Sequence, residues 1–179
     1  MKATRILLAA MVLGNAIGAT QANAQSCSGN AGSCNLTNTA SVTVGALVKL
    51  TMSPATTTLT SPTADQIDLG TTIYDAGPTF TVKANRAWTL KIKTTVSPNW
   101  TYAGTDAGVK PISDLTWSNA AGGTYVAIAT SDATVTSGAS ANGAAASVHF
   151  KTLWSNDFTS ASNAPGTYSL PIVFTLTAP

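Results

Sequence analysis

His149 is the one histidine of the chain, and seven aspartates supply every carboxylate side chain; there is no glutamate. In "SVHFK", His149 shares a strand face with Ser147 and Lys151, opposite Val148 and Phe150. That is the pattern of a solvent-facing strand residue. A Ser-His-Asp triad needs a base held by a buried carboxylate and a nucleophile aimed at it. The G-x-S-x-G turn that would present such a serine is absent. Two aspartate pairs, Asp65 with Asp68 and Asp106 with Asp114, are the candidates for carboxylate-pair glycoside chemistry. All four fall in or beside turn-like segments, where aspartate serves the backbone. "DQIDLG" and "TDAG" offer oxygen ligands to calcium but lack the spaced D-x-D-x-D-G loop. "GASANGAA" is glycine-rich, with neither the lysine-serine ending nor the following helix of a phosphate loop. No catalytic, cofactor-binding or metal-binding residue is assigned, and the chain reads as a non-enzyme.

Two further features concern structure or recognition. Cys27 and Cys34, in "CSGNAGSC", are expected to pair as a short structural disulfide if the chain reaches an oxidising compartment. The spacing is not that of a C-x-x-C redox motif, and two thiols do not make a closed zinc site. Among the four tryptophans, Trp88, Trp117 and Trp154 lie in phase with apolar strand positions. Trp100 does not. It sits in "SPNWTYAG", two residues before Tyr102, and the pair is the candidate contact for a carbohydrate or other ligand. Asn35 and Asn99 match the glycosylation sequon.

The first residues read as a secretory signal peptide, 1–24. "MKATR" carries two positive charges, an interrupted apolar stretch follows, and "ANA" precedes Gln25. No other run is apolar and long enough to span a bilayer as a helix. Secretion is expected, to the periplasm, the cell surface or beyond. Losing Lys2 and Arg5 leaves seven basic residues against seven acidic ones. A formally neutral chain offers no field to nucleic acid. Low charge also favours association between copies.

The remainder divides into a polar arm, 25–39, and one domain, 40–179. Threonine, valine, isoleucine and aromatic residues dominate the latter, and they favour strands. Val42, Val44, Ala46, Val48, Leu50 and Met52 alternate, predicting one long strand over 41–52. "IDLGTTIY" is a short strand candidate, and "AGP" at 76–78 a turn. In "TFTVKANRAWTLKIKT" Phe80, Val82, Ala84, Trp88, Leu90 and Ile92 are all even-numbered. A hairpin with a three-residue loop, Asn85 to Ala87, keeps that parity; so does a continuation from one sheet into another. Further strands are expected at "ISDLTWS", "TYVAIAT", "ASVHFKTLW" and the C terminus, with a short one possible near Val135. Seven to nine short strands without sustained helical period indicate an all-β fold, an antiparallel sandwich.

The last strand, "GTYSLPIVFTLTAP", places Tyr168, Leu170, Ile172, Phe174 and Leu176 on one face. Pro171 removes a donor on the side served by Ser169 and Val173. We therefore expect an edge strand guarded near Pro171. Ile172, Phe174 and Leu176 form its candidate strand-pairing stretch.

The cleaved leader, the long first strand, "DLG", "TFTVKANRAWTLKIK" and a closing "APGTYSLPIVFTLTAP" together resemble small secreted bacterial proteins of the spore coat protein U and fimbrial-subunit type. The resemblance is one of layout over most of the mature chain. It implies an immunoglobulin-like β-sandwich in surface appendages or coats, without enzymatic activity. Fimbrial subunits carry an alternating N-terminal extension that completes a neighbour's sheet. Here residues 25–39 are polar and 41–52 are expected inside the domain's own sheet, which argues against that mode. The function expected is a structural or adhesive component of the cell surface, coat or fimbria-like matrix, with self-association or other surface proteins as partners. The alternative is an extracellular ligand-binding module built on Trp100 and Tyr102.

Overall fold

The computed structural model describes residues 32–179. The leader, its cleavage site and Cys27, and with it the expected Cys27–Cys34 bridge, lie outside the described residues. Residues 32–43 contain neither helix nor strand, and their side chains are exposed.

From Val44 onward the chain is an all-β antiparallel sandwich. Its larger sheet has the order β1-β2-β8-β5-β6. These strands are β1 (Val48–Ser53), β2 (Thr72–Ala84), β8 (Ala141–Leu153), β5 (Leu115–Ser118) and β6 (Val126–Ala127). The second sheet has the order β10-β3-β7. Its members are β10 (Ile172–Thr177), β3 (Trp88–Thr94) and β7 (Ala133–Gly138). A small ribbon pairs β4 (Thr101–Ala103) with β9 (Thr167–Ser169). Ten strands exceed the expected seven to nine because β4, β6 and β9 are only two or three residues long.

The even-numbered stripe around Asn85 belongs to two sheets, not to a hairpin. β2 pairs with β1 and β8, whereas β3 pairs with β10 and β7. Residues 85–87 therefore carry the chain across the sandwich. Phe80, Val82 and Ala84 face Trp88, Leu90 and Ile92 through the core, and all six are buried. An inter-sheet arch preserves side-chain parity as a hairpin does, but it buries both stripes against each other. Each such aliphatic or aromatic side chain contributes roughly 1.5–3 kcal/mol on burial. We call this the arch end of the sandwich.

Two other expectations change. Residues 64–68 form a single helical turn, α1 (Ala64–Asp68), where loop and the start of a strand were expected. Thr63 and Gln66 close a capping box around its first turn. The four-residue spacing was visible in "TADQ", but one turn is too short to show a helical period. The "AGP" segment is no turn either. β2 runs through it with a shift of register against β8 between Ala76 and Thr79. At Gly77 a Cβ would lie 2.7 Å from both Phe150 Cε2 and the Val148 carbonyl. Gly77→Ala is expected to destabilise the fold by about 1–3 kcal/mol through overpacking, measured as a fall in the urea midpoint.

Candidate functional site

The long first strand is shorter than its alternation. Only 48–53 pairs with β2, in the register Val48↔Ala84 to Ser53↔Thr79. Just before it, the Asn85 side chain accepts from the Leu47 N–H at 2.9 Å and donates to the Gly45 carbonyl at 2.9 Å. Upstream of these bonds the apolar positions have no sheet to join. Val42 is 87% and Val44 65% exposed, and Leu36 is exposed as well. The sequence predicted a strand here because alternation reports what a segment is suited to pair with, not whether a partner is present.

An apolar surface lies along β10, which shares this side of the sandwich with β1. β10 is an edge strand, bonded to β3 alone among the described strands. Its pairs run Ile172↔Thr94 to Thr177↔Thr89. The Thr94 N–H donates to the Ala129 carbonyl, away from β10. Alternation along β3 then directs the Lys93 and Lys91 amides toward Val173 and Thr175. The amides and carbonyls of Ile172, Phe174 and Leu176 point the other way, to the open side.

Pro171 consequently guards a different flank from the one expected. Its carbonyl accepts from Thr94 Oγ1 at 2.8 Å, so Pro171 faces β3. The donor it lacks lies just past the last β10–β3 pair, on the inner side. The outer edge keeps its donors. The expectation of an edge strand stands, and the expectation of a proline guard against docking is corrected.

Beside this edge a groove of about 690 Å³ opens into the sandwich. Met52 and the threonine-rich loop 54–61 form one wall; Leu170, Ile172 and Phe174 form the other. Phe150, Trp100 and Trp154 also line it. Ile172, Phe174 and Leu176 are only half-buried, although they pack against the core. Phe174 meets Phe80 of the larger sheet with ring centroids 4.6 Å apart. The groove is thus a stretch of core left uncovered between β1 and β10.

The loop end of the groove rests on Lys110, a residue that no motif or period marks in the sequence. Its side chain is 1% exposed. The ammonium donates to Asp114 Oδ2 at 3.2 Å and to the Leu153 carbonyl at 2.6 Å, and lies 4.0 Å from the Trp154 ring centroid. Burial pushes its pKa below the ordinary lysine value, and the Asp114 charge and hydrogen bond oppose that shift. Thr152 Oγ1 and Trp154 Nε1, both buried and lining the groove, have no hydrogen-bond partner among the described residues.

Trp100 and Tyr102 are committed to the fold. Trp100 is buried, and its Nε1 donates to the Pro111 carbonyl at 3.0 Å. The Tyr102 hydroxyl donates to the Pro165 carbonyl at 2.6 Å, and its ring packs against Tyr168 at 5.0 Å. Gly104, Gly108 and Gly166 crowd this ring so closely that a Cβ on any of them would clash. The tryptophan expected outside the core is inside it, and both Trp100 and Trp154 line the groove. Tyr102 does not line the groove, so the two residues do not form an exposed aromatic pair. His149 sits on β8 opposite Ala76 and Ser118. Asp65 and Asp68 lie on α1, Asp106 in an exposed loop, and Asp114 is spent on Lys110.

No family model matches the chain, and no curated protein does. Among solved structures, a chain from a chaperone–usher pilus, solved to explain how its rod uncoils, is similar at 14% identity and a TM-score of 0.47. The match covers 82% of this chain and 95% of that one. No helix among the described residues is long and apolar enough to cross a membrane.

Proposed function

We propose that this protein is a secreted, non-enzymatic structural component of a bacterial surface assembly. Its copies associate by strand addition, with the exposed alternating segment of one copy lying along β10 of the next. One observation carries the reading. Ile172 and Phe174 present free backbone groups and half-buried apolar side chains to the same open groove. Main-chain pairing along such an edge supplies affinity, and pockets for alternate side chains supply register.

The segment suited to it is Ala40, Val42, Val44 and Ala46, whose small apolar side chains fall on one face of an extended chain. Residues 41–47 are not needed in the domain's own sheet, whose first strand begins at Val48. Sedimentation velocity on the chain from Gln25 tests the reading. It should show concentration-dependent oligomers. Val42→Asp with Val44→Asp should leave monomers of unchanged thermal stability. A wild-type chain that stays monomeric at high micromolar concentration would contradict it.

A further inference from the structure

The charged residues are sorted between the two ends of the sandwich. At the arch end, Lys49 and Lys83 face each other across β1 and β2, and both are exposed. Arg86 lies exposed in the arch between them and β3. No acidic residue occurs between Asp75 and Asp106, so none lies in this arch or in the strand ends that flank it. The neighbours of Lys83 on β8 are Asn142 and alanines, and residues 133–148 of β7 and β8 carry no charge at all.

The opposite end is acidic. Asp65 and Asp68 project from α1, Asp157 from the loop after β8, and Asp106 from the loop after β4; all are exposed. These loops are packed together. Gly70 abuts Asn156, and the Val109 N–H donates to the Ala161 carbonyl at 2.9 Å. The remaining charges lie along the strands between the two ends or are paired, and they leave two positive charges there, one from Lys91 and Lys93 sharing a single carboxylate and one on Lys151. Lys91 and Lys93 pair with Asp132, Lys110 is buried with Asp114, and Asp75 accepts from Thr60. Lys151 lies over the Tyr74 and Tyr125 rings. The formally neutral mature chain is therefore a dipole along the strand direction, with basic and acidic surfaces at opposite ends.

We infer that copies associate end to end, the basic arch end of one against the acidic loop end of the next. Charge complementarity identifies the occupant of each end as a second copy, because every copy carries both halves of the contact. Two positive ends or two negative ends repel, which leaves head-to-tail as the favoured order. Such a contact is heterologous, and it propagates unless the rotation happens to close a ring.

The inference rests on the proposed strand addition and gives it a direction. The chain enters β1 at the arch end, where Gly45 and Leu47 bond to Asn85. The mouth of the groove, between loop 54–61 and Leu170, lies at the loop end. Head-to-tail contact brings the segment before β1 to the mouth of the next copy's groove. The docked segment then runs antiparallel to β10, entering the groove with its C-terminal part nearest the loop end. Individual exposed ion pairs contribute little, so the charges act mainly on orientation and encounter rate, and salt weakens them.

Two charge-reversed chains test this. The first carries Lys49→Glu, Lys83→Glu and Arg86→Glu; the second carries Asp65→Lys, Asp68→Lys and Asp157→Lys. All six positions are exposed, and circular dichroism should show both variants folded. Each alone should assemble at least about tenfold more slowly than wild type at low salt. Mixed in equal amounts, they should recover a rate close to that of wild type, and the recovery should disappear near 0.5 M salt. If the wild-type chain oligomerises but neither variant slows it, or mixing restores nothing, the end-to-end inference fails and strand addition stands. If the wild-type chain is monomeric throughout, both fail together.

Discussion

Lys110→Ala is expected to destabilise the sandwich by about 3–5 kcal/mol, the range seen when one member of a buried pair is removed. The fall should appear as a lower urea midpoint with an unchanged slope. Three groups lose their partner at once: the Asp114 carboxylate, the Leu153 carbonyl at the end of β8, and the face of the Trp154 ring. Asp114 is only 18% exposed, so water cannot fully take over from the ammonium. The site also links three separate segments: the loop before β5, the end of β8, and the wall of the groove.

Replacing both charges gives the opposite expectation. Burial is the largest influence on Lys110 and acts against its charged form, outweighing the pull of Asp114. Lys110→Met with Asp114→Leu should therefore recover most of the lost stability, since an apolar pair avoids the desolvation that the ions suffer. The pH dependence carries the same sign. With the folded pKa below the unfolded one, the unfolded chain holds more protons in the interval between them. Stability from this group thus rises as pH climbs through that interval, up to the ordinary lysine range. A Lys110→Met variant should lose that alkaline rise. Equal losses in Lys110→Ala and the double variant would show that packing, not charge, decides the site.

Alternation made the sandwich legible. The parity of Phe80 to Ile92 and of Tyr168 to Leu176 survives intact in the folded chain, because side-chain facing depends only on local backbone geometry. Which strand bonds to which is a non-local property. Val82 and Leu90 satisfy the same parity in a hairpin and across two sheets, so the arch was open until β1 and β8 claimed β2. Pro171 shows the same division. Its missing donor was predictable, yet the side it faced was fixed by Thr94, a residue 77 positions away. Trp100 and Lys110 were illegible for a related reason. Both sit in an irregular connection, where no period announces an inward turn, and their partners Pro111, Leu153 and Asp114 are brought near only by the fold. The candidate edge of Ile172, Phe174 and Leu176 was readable from sequence. Its groove was not, since a groove is defined by what fails to cover it.

A chain beginning at Val44 should act as a terminator of assembly. Residues 44–179 form a compact unit that contains every described strand, so its stability should match that of the longer chain to within about 0.5 kcal/mol. The truncation removes Leu36, Ala40 and Val42 but leaves β10, the groove and both charged ends in place. Such a chain can receive a neighbour's segment but keeps only Val44 and Ala46 of its own. Alone it should be monomeric. Added to the chain from Gln25 at about one part in ten, it should bind growing ends and shorten the oligomers several-fold, because each incorporated copy stops growth in one direction. A chain with Phe174→Asp is the complementary case, impaired in receiving; it should join assemblies only through its own segment and cap the other direction. Light scattering on mixtures distinguishes this from simple dilution, in which the short chain would leave oligomer size unchanged. If the truncated chain oligomerises as well as the full one, the segment before Val44 is not the strand that β10 accepts.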